Sequence, residues 1–305
     1  MRSMAEQTAA SPRLAAIADP AAFTPRRHTR LRAFTRHRFA VAGLIVFLLM
    51  AVMAIFAPLI ATHAPNHVDL LASSQGPSRA HWLGTDELGR DVFSRVVYGA
   101  RVSLSVGIVA VTIYVLIGTV LGAVSGYFGG IVDAVIQRLT DAVMCFPSLI
   151  IIIAAVAIIG PSIYNVMIII GLLTWPSICR LVRGEFLSLR ERDFVDAARA
   201  SGAKPSRIIF RHLLPNAVAP IIVAATFGIA SAILTEAGLS FLGLGVQPPT
   251  ASWGNMINTA QSASVLQRMP WLWIPAGLMI ALAVLSINFI GDGLRDTLDP
   301  RSRRR

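Results

Sequence analysis

Cysteine and lysine are nearly missing from this chain, and charge of either sign is scarce. Only Cys145 and Cys179 occur in 305 residues, both within apolar stretches. That excludes a disulfide framework and a thiolate metal site, and leaves both as small buried side chains. The single lysine, Lys204, is followed by Pro205, and no G-x-x-x-x-G-K-[ST] run exists. The chain therefore has no phosphate-cradling loop of its own and is not a nucleotide-driven motor. The apolar segments also lack the buried Asp, Glu or His relays of a proton-driven transporter, with Glu236, at an expected helix end, as the main exception. Neither a nucleophile–base pair nor a His/Asp/Glu metal spacing stands out, so the expected catalytic and metal sets are both empty.

What the chain has in quantity is apolar sequence. Hydrophobic residues make up 55% and charged residues 14%, a balance outside the soluble range and fitting a polytopic membrane protein. The net charge is +11, with most arginines in three short segments. They read as topology signals, not as a nucleic-acid footprint. Residues 1–38 are Ala/Pro/Ser-rich and then basic, with Arg26, Arg27, Arg30, Arg32, Arg36 and Arg38, and are expected to be a cytoplasmic arm. Ala40 to Ile60 would span about 31 Å as a helix, enough to cross a bilayer and too extended for a signal-peptide core.

Further crossings follow from the same pattern. Val102 to Phe128 is uncharged, with Gly118, Gly122 and Gly126 at the small-xxx-small spacing that lets membrane helices pack closely. A short turn through Gly129, Gly130, Asp133, Arg138 and Asp141 is expected next. Ala142 to Cys179 is too long for one span and predicts two helices, broken near Gly160-Pro161-Ser162. Arg180, Arg183, Arg190, Arg192, Arg199, Lys204, Arg207 and Arg211 mark the central loop as cytoplasmic. A fifth helix is expected from about Asn216 to Leu234 and a sixth from about Leu272 to Ile290. The fold class is thus all-α, with six transmembrane helices and both termini cytoplasmic. The expected divisions are the arm at 1–38, the first helix with an external amphipathic segment at 39–101, a five-helix core at 102–295 with its cytoplasmic loop at about 181–215, and a basic tail at 296–305.

The longest polar, helix-prone excursion is DFVDAARASGAKPSRIIFRHLLP, residues 193 to 215. Asp193 can cap a short helix in which Phe194, Ala197, Ala198 and Ser201 fall on one face. Gly202 supplies the stop and Pro205 a second start. The pair predicts a helix-turn-helix lying across the membrane surface, too short to be stable without a partner. Phe194 is its expected anchor, worth roughly 1.5–3 kcal/mol when buried.

Asp196-Ala197-Ala198, Gly202 and the pair Leu214-Pro215 resemble the loop of ABC importer permeases in which an EAA triplet, a glycine and a terminal LP pair form the coupling helix. Asp196 stands where the family pattern has Glu, and His212 where it usually has Ile. The run from His81 to Leu104, with Gly84-Thr85-Asp86-Glu87-Leu88-Gly89-Arg90-Asp91, resembles the signature of the dipeptide, oligopeptide and nickel branch. Read without the family, that run is a solvated turn with local ion pairs, since Arg90 and Arg95 would compete with any cation for its acids.

The resemblance implies a type I ABC importer permease fold in the bacterial inner membrane. It also implies a homologous second permease, two ATPase subunits that bind ATP and magnesium, and an extracytoplasmic solute-binding protein. This chain would need no cofactor and would contact membrane lipid. The cargo implied is di- or oligopeptide first and nickel second.

Residues 237–249, AGLSFLGLGVQPP, are too glycine-rich for a simple helix. They fit either a broken, re-entrant segment lining a path, with Glu236, Ser240, Gly243 and Gly245 as its candidates, or a helix-loop that merely packs. Two other function classes stay open: a gradient-driven secondary transporter or channel, and a membrane-embedded enzyme or scaffold.

Overall fold

The computed structural model describes residues 34–35 and 37–298, so most of the basic arm and the tail lie outside the described residues. Among the described residues there is no strand, only an isolated bridge between Thr85 and Asp91. The helices that position the site are α1 (Arg38–Ile55), α2 (Val92–Phe128), α3 (Gly130–Met144), α4 (Ser148–Ile159), α5 (Ile163–Leu189), α6 (Asp193–Ala200), α7 (Leu214–Phe241), α8 (Trp253–Asn258) and α9 (Ile274–Leu298).

Five helical stretches are long and apolar enough to cross a membrane: α1, α2, α5, Pro205–Phe241 and Pro270–Leu298. The bent pair α3 and α4 makes a sixth when it is counted as one span. The first crossing is shorter than expected. It ends at Ile55, and Pro58 begins a separate turn, Ala57–Ile60, because proline supplies no donor to continue the ladder. Conversely, α2 has 37 residues, about 55 Å at 1.5 Å each, well beyond a ~30 Å hydrocarbon core. It begins at Val92, so the expected limit at 101 falls inside one helix.

The expected short turn after Gly130 is instead helix α3. Its acids are matched by arginines that charge counting assigns to the loop. Arg183 donates to Asp133 through Nε and Nη2 at 2.6 Å each, and Arg180 Nη2 donates to Asp141 at 2.6 Å. Both arginines sit on α5, which runs unbroken to Leu189 despite Pro176. The turn Cys145-Phe146-Pro147 then bends the chain by 78° into α4. At 12 residues, about 18 Å, α4 cannot span alone. The expected break at Gly160 to Ser162 is where α4 ends and α5 begins.

The glycine stripe of α2 does what its spacing predicts. A Cβ at Gly118 would meet Ile178, one at Gly126 would meet Phe186, and one at Gly122 would lie 2.5 Å from the Cys179 carbonyl oxygen. The α2 backbone therefore seats directly on α5. A second cluster, including Met50, Val96, Trp253 and Ile287, joins α1, α2, α8 and α9.

Candidate functional site

Helix α6 is eight residues long, and its N-cap is Arg192, so Asp193 is its first helical residue and not its cap. Asp193 and Asp196 both lie in the first turn, where the helix dipole favours negative charge. The helix closes in a Schellman arrangement: Gly202 N–H donates to Arg199 O at 2.9 Å and Ala203 N–H to Ala198 O at 3.1 Å. Gly202 has φ +74°, which a side chain would resist, so the stop read from the sequence is present in the backbone.

One side of α6 packs inward and the other stays open. Val195 is fully buried and Ala198 half-buried, whereas Phe194 is 40% exposed and Asp196, Ala197 and Ser201 are exposed. Phe194 therefore keeps much of its surface open. The residues on the open side, Phe194, Ala197 and Ser201, keep the i, i+3, i+7 spacing. Asp196 pairs with Arg199 one turn on, at 3.0 Å.

The second helix does not lie on the surface. Pro205 starts it at N1, and it continues through a π-helical turn, Ile208–Leu213, directly into α7. The wider turn places residues five apart on one side, so Ile208 and Leu213 are both buried. Leu214 and Pro215 are consequently the first residues of a membrane-crossing helix, half-buried and exposed respectively. Residues 193–215 are thus one short helix, α6, joined by a turn to the start of the α7 crossing.

The fifth crossing also extends past its expected end. It continues to Phe241, placing Glu236 inside the helix with no solvent exposure. Glu236 Oε1 accepts from the Ser240 hydroxyl at 2.7 Å and Oε2 from the Ser103 hydroxyl at 3.2 Å. Those hydroxyls in turn accept the N–H groups of Val246, at 3.1 Å, and Trp253, at 3.2 Å. One carboxyl group thus ties together α2, α7, α8 and the turn between them. A second Schellman cap, Leu244 N–H to Leu239 O and Gly243 N–H to Ser240 O with Gly243 at φ +79°, ends α7 cleanly before that turn. Gly238 is simply carried within the helix. Ser240 and Gly243 border a cavity of about 330 Å³ on the external side, whereas Glu236 and Gly245 do not line it.

A cavity the sequence does not single out lies deeper. It measures about 430 Å³ between α2, α5 and α7, and its polar lining comes from Tyr114, Thr174, Ser177, Ser231 and Thr235. Gly228 leaves room for the Tyr114 hydroxyl, which a Cβ there would strike. The signal was in the sequence, since Gly228, Ser231 and Thr235 fall at i, i+3, i+7 along α7, but hydroxyls in apolar helices are too common to stand out. The Thr174 and Thr235 hydroxyls donate to helix carbonyls at 2.7 and 2.9 Å, leaving lone pairs to accept from a guest. A larger cavity of about 800 Å³, bordered by Glu185, Pro215 and Arg295, adjoins it through shared walls of Leu181, Ala224 and Phe227. The two cavities are neighbours along α7.

On the opposite side, Gly84 to Asp91 fold into the expected ion-paired turn. Asp86 accepts from the Arg90 side chain at 2.7 Å and from the backbone N–H groups of Leu88 and Arg90. Asp91 caps α2, accepting from Ser94 N–H at 2.8 Å. Burial opposes its charge, yet hydrogen bonds from Ser94 and His81, together with nearby His63, hold its carboxyl below the ordinary carboxylate range.

Residues 118–304 match the family model described as binding-protein-dependent transport system inner membrane component, and residues 27–77 match the N-terminal TM domain of oligopeptide transport permease C. The chain is 47% identical, over 88% of each chain, to the dipeptide transport system permease protein DppC of Alkalihalophilus pseudofirmus. It is 43% identical to the glutathione transport system permease protein GsiD of Pectobacterium atrosepticum, over 94% of this chain and 95% of that one. A chain of the inward-facing MetNI methionine ABC transporter superposes with a TM-score of 0.55 at 19% identity, covering 68% of this chain and 97% of that one, a likeness of fold. With its apolar crossings, its glycine-seated helices and this match over most of its length, the chain belongs to the inner-membrane permease family of binding-protein-dependent ABC transport systems.

Proposed function

We propose that this chain forms half of the translocation path of an ATP-driven importer for di- or oligopeptides. The observation that carries this reading is the mid-membrane cavity between α5 and α7. Among the described residues that line it, none is His, Cys, Asp or Glu; its polar groups are neutral hydroxyls set among apolar walls. Such a surface accepts hydrogen bonds from peptide N–H groups without choosing a side-chain charge, and it offers a nickel ion no imidazole, thiolate or carboxylate. It also holds no titratable relay for gradient-driven transport. The names of relatives, which specify dipeptide and glutathione transport, support the same cargo class.

The partners of this reading are a homologous permease closing the other side of the path, two ATPase subunits that bind ATP and magnesium, and an external solute-binding protein. Helix α6 is the lever. Its open face, with Phe194, Asp196, Ala197 and Ser201, docks on an ATPase subunit, and closure of the ATPases carries α6 and the start of α7 at Leu214-Pro215 as one body. Two packings of the membrane helices, inward-open and outward-open, then exchange.

The test is uptake of a labelled tripeptide by the purified complex reconstituted in vesicles. Uptake should require ATP and the binding protein and survive collapse of the proton gradient. Gly228→Ala, which displaces Tyr114, should cut it severalfold while the subunits still copurify. Uptake that follows the gradient and ignores ATP would overturn the importer reading. Uptake of nickel in place of peptide would overturn the cargo.

A further inference from the structure

The external turn brings together three metal-ligating side chains that neither the coupling helix nor the cavities employ. His63 lies just beyond the Ala57–Ile60 turn, His81 in the loop before Gly84, and Asp91 at the cap of α2. His81 Nδ1 is 2.9 Å from Asp91 Oδ1, and His63 Nδ1 is 3.8 Å from the same oxygen. All three ligand atoms lie within 4.8 Å of one another. Tetrahedral ligands at zinc distances of about 2.0–2.1 Å stand about 3.4 Å apart, so the two contacts to Asp91 bracket that edge.

The surroundings are those of a held site. Asp91 Oδ2 accepts from the Ser94 backbone N–H at 2.8 Å and from the Thr62 hydroxyl at 3.3 Å, the His63 backbone N–H donates to Ser94 Oγ at 3.0 Å, and the His63 ring Nδ1 lies 3.0 Å from the Thr62 hydroxyl. Such outer hydrogen bonds fix ligand orientation in metal centres. Asp91 is 1% exposed, His81 16% and His63 37%, so the carboxylate is inside and one side opens to water for a fourth ligand. The arginines expected to repel a cation are engaged elsewhere: Arg90 Nε is 2.7 Å and Arg95 Nε 3.8 Å from Asp86.

We propose that His63, His81 and Asp91 bind one zinc-class divalent ion on the external face. The ion fastens the segment after α1 and the His81 loop to the start of α2. It acts as a staple, separate from the translocation path.

The test uses the full chain in its purified complex, stripped with a chelator and dialysed against zinc alone, with bound metal counted per permease chain. Wild type should take up one equivalent more than His63→Ala, whose half-exposed side chain can be removed without emptying the core. His81→Gln should weaken the site by at least about tenfold. His67→Ala, outside the cluster, should bind as wild type. X-ray absorption of the zinc-loaded complex should show two imidazoles and oxygen ligands. Equal zinc counts in wild type and His63→Ala, or a spectrum without imidazole, would overturn the assignment.

Discussion

Helices α6 and α7 stop in the same way, at Gly202 and Gly243, each in the left-handed region and each closing the same pair of backbone hydrogen bonds. Their surroundings are opposite. Around Gly243 the polar groups are matched within the chain: Glu236 holds Ser103 and Ser240, and those hydroxyls hold the next turn and α8. Around Gly202 the helix contributes one fully buried side chain, Val195, and leaves Phe194, Ala197 and Ser201 open. The external end is finished by its own residues, whereas the cytoplasmic end keeps an open face. An identical local signal thus ends a helix in a filled setting in one place and in an open one in the other, and burial of the neighbouring side chains tells them apart.

Substitutions inside the self-sufficient part should cost stability first. Gly122→Leu forces a side chain against the Cys179 carbonyl, which is backbone and cannot yield. It should destabilise at or above the roughly 1–3 kcal/mol of ordinary overpacking, read as a lowered melting temperature of the detergent-solubilised chain. Next comes Glu236→Ala. It strands two buried hydroxyls at about 1–3 kcal/mol each, and Glu236→Gln should recover most of the loss because an amide oxygen can still accept. If Glu236→Ala melts like wild type while peptide uptake collapses, the carboxyl belongs to the path and the joint at the external end is not what holds it there.

The comparison also explains what the sequence made legible. Crossings and the glycine stripe were readable because lipid imposes long apolar runs, and close helix contact needs small residues at a fixed step. The stop at Gly202 was readable because it is local. Long-range pairing was not. Asp133 and Asp141 look like a polar turn until Arg183 and Arg180 arrive 50 and 39 residues later. Glu236 looks like a helix terminus until Ser103, 133 residues earlier, meets it in the interior. Phe194 was correctly singled out as the large side chain of its helix. Val195, which the face read from the spacing does not include, is the side chain of α6 that packs inward.

At the cytoplasmic end, stability and function should separate. Gly202→Pro removes the N–H that Arg199 O accepts and forbids the positive φ, yet the short helix it ends carries little of the core. The melting temperature should move by only a few degrees, while ATP-driven uptake should fall by an order of magnitude or more. Phe194→Ala sharpens the point furthest. With Phe194 40% exposed, the isolated permease should lose only about 1 kcal/mol. Copurification of the ATPase should nonetheless drop severalfold, because truncating an aromatic anchor at an interface centre typically costs about 2 kcal/mol or more. Phe194→Leu should restore part of it. If Phe194→Ala destabilises the lone permease as much as it weakens the complex, α6 is an ordinary packed helix, and the contrast between the two ends of α7 disappears.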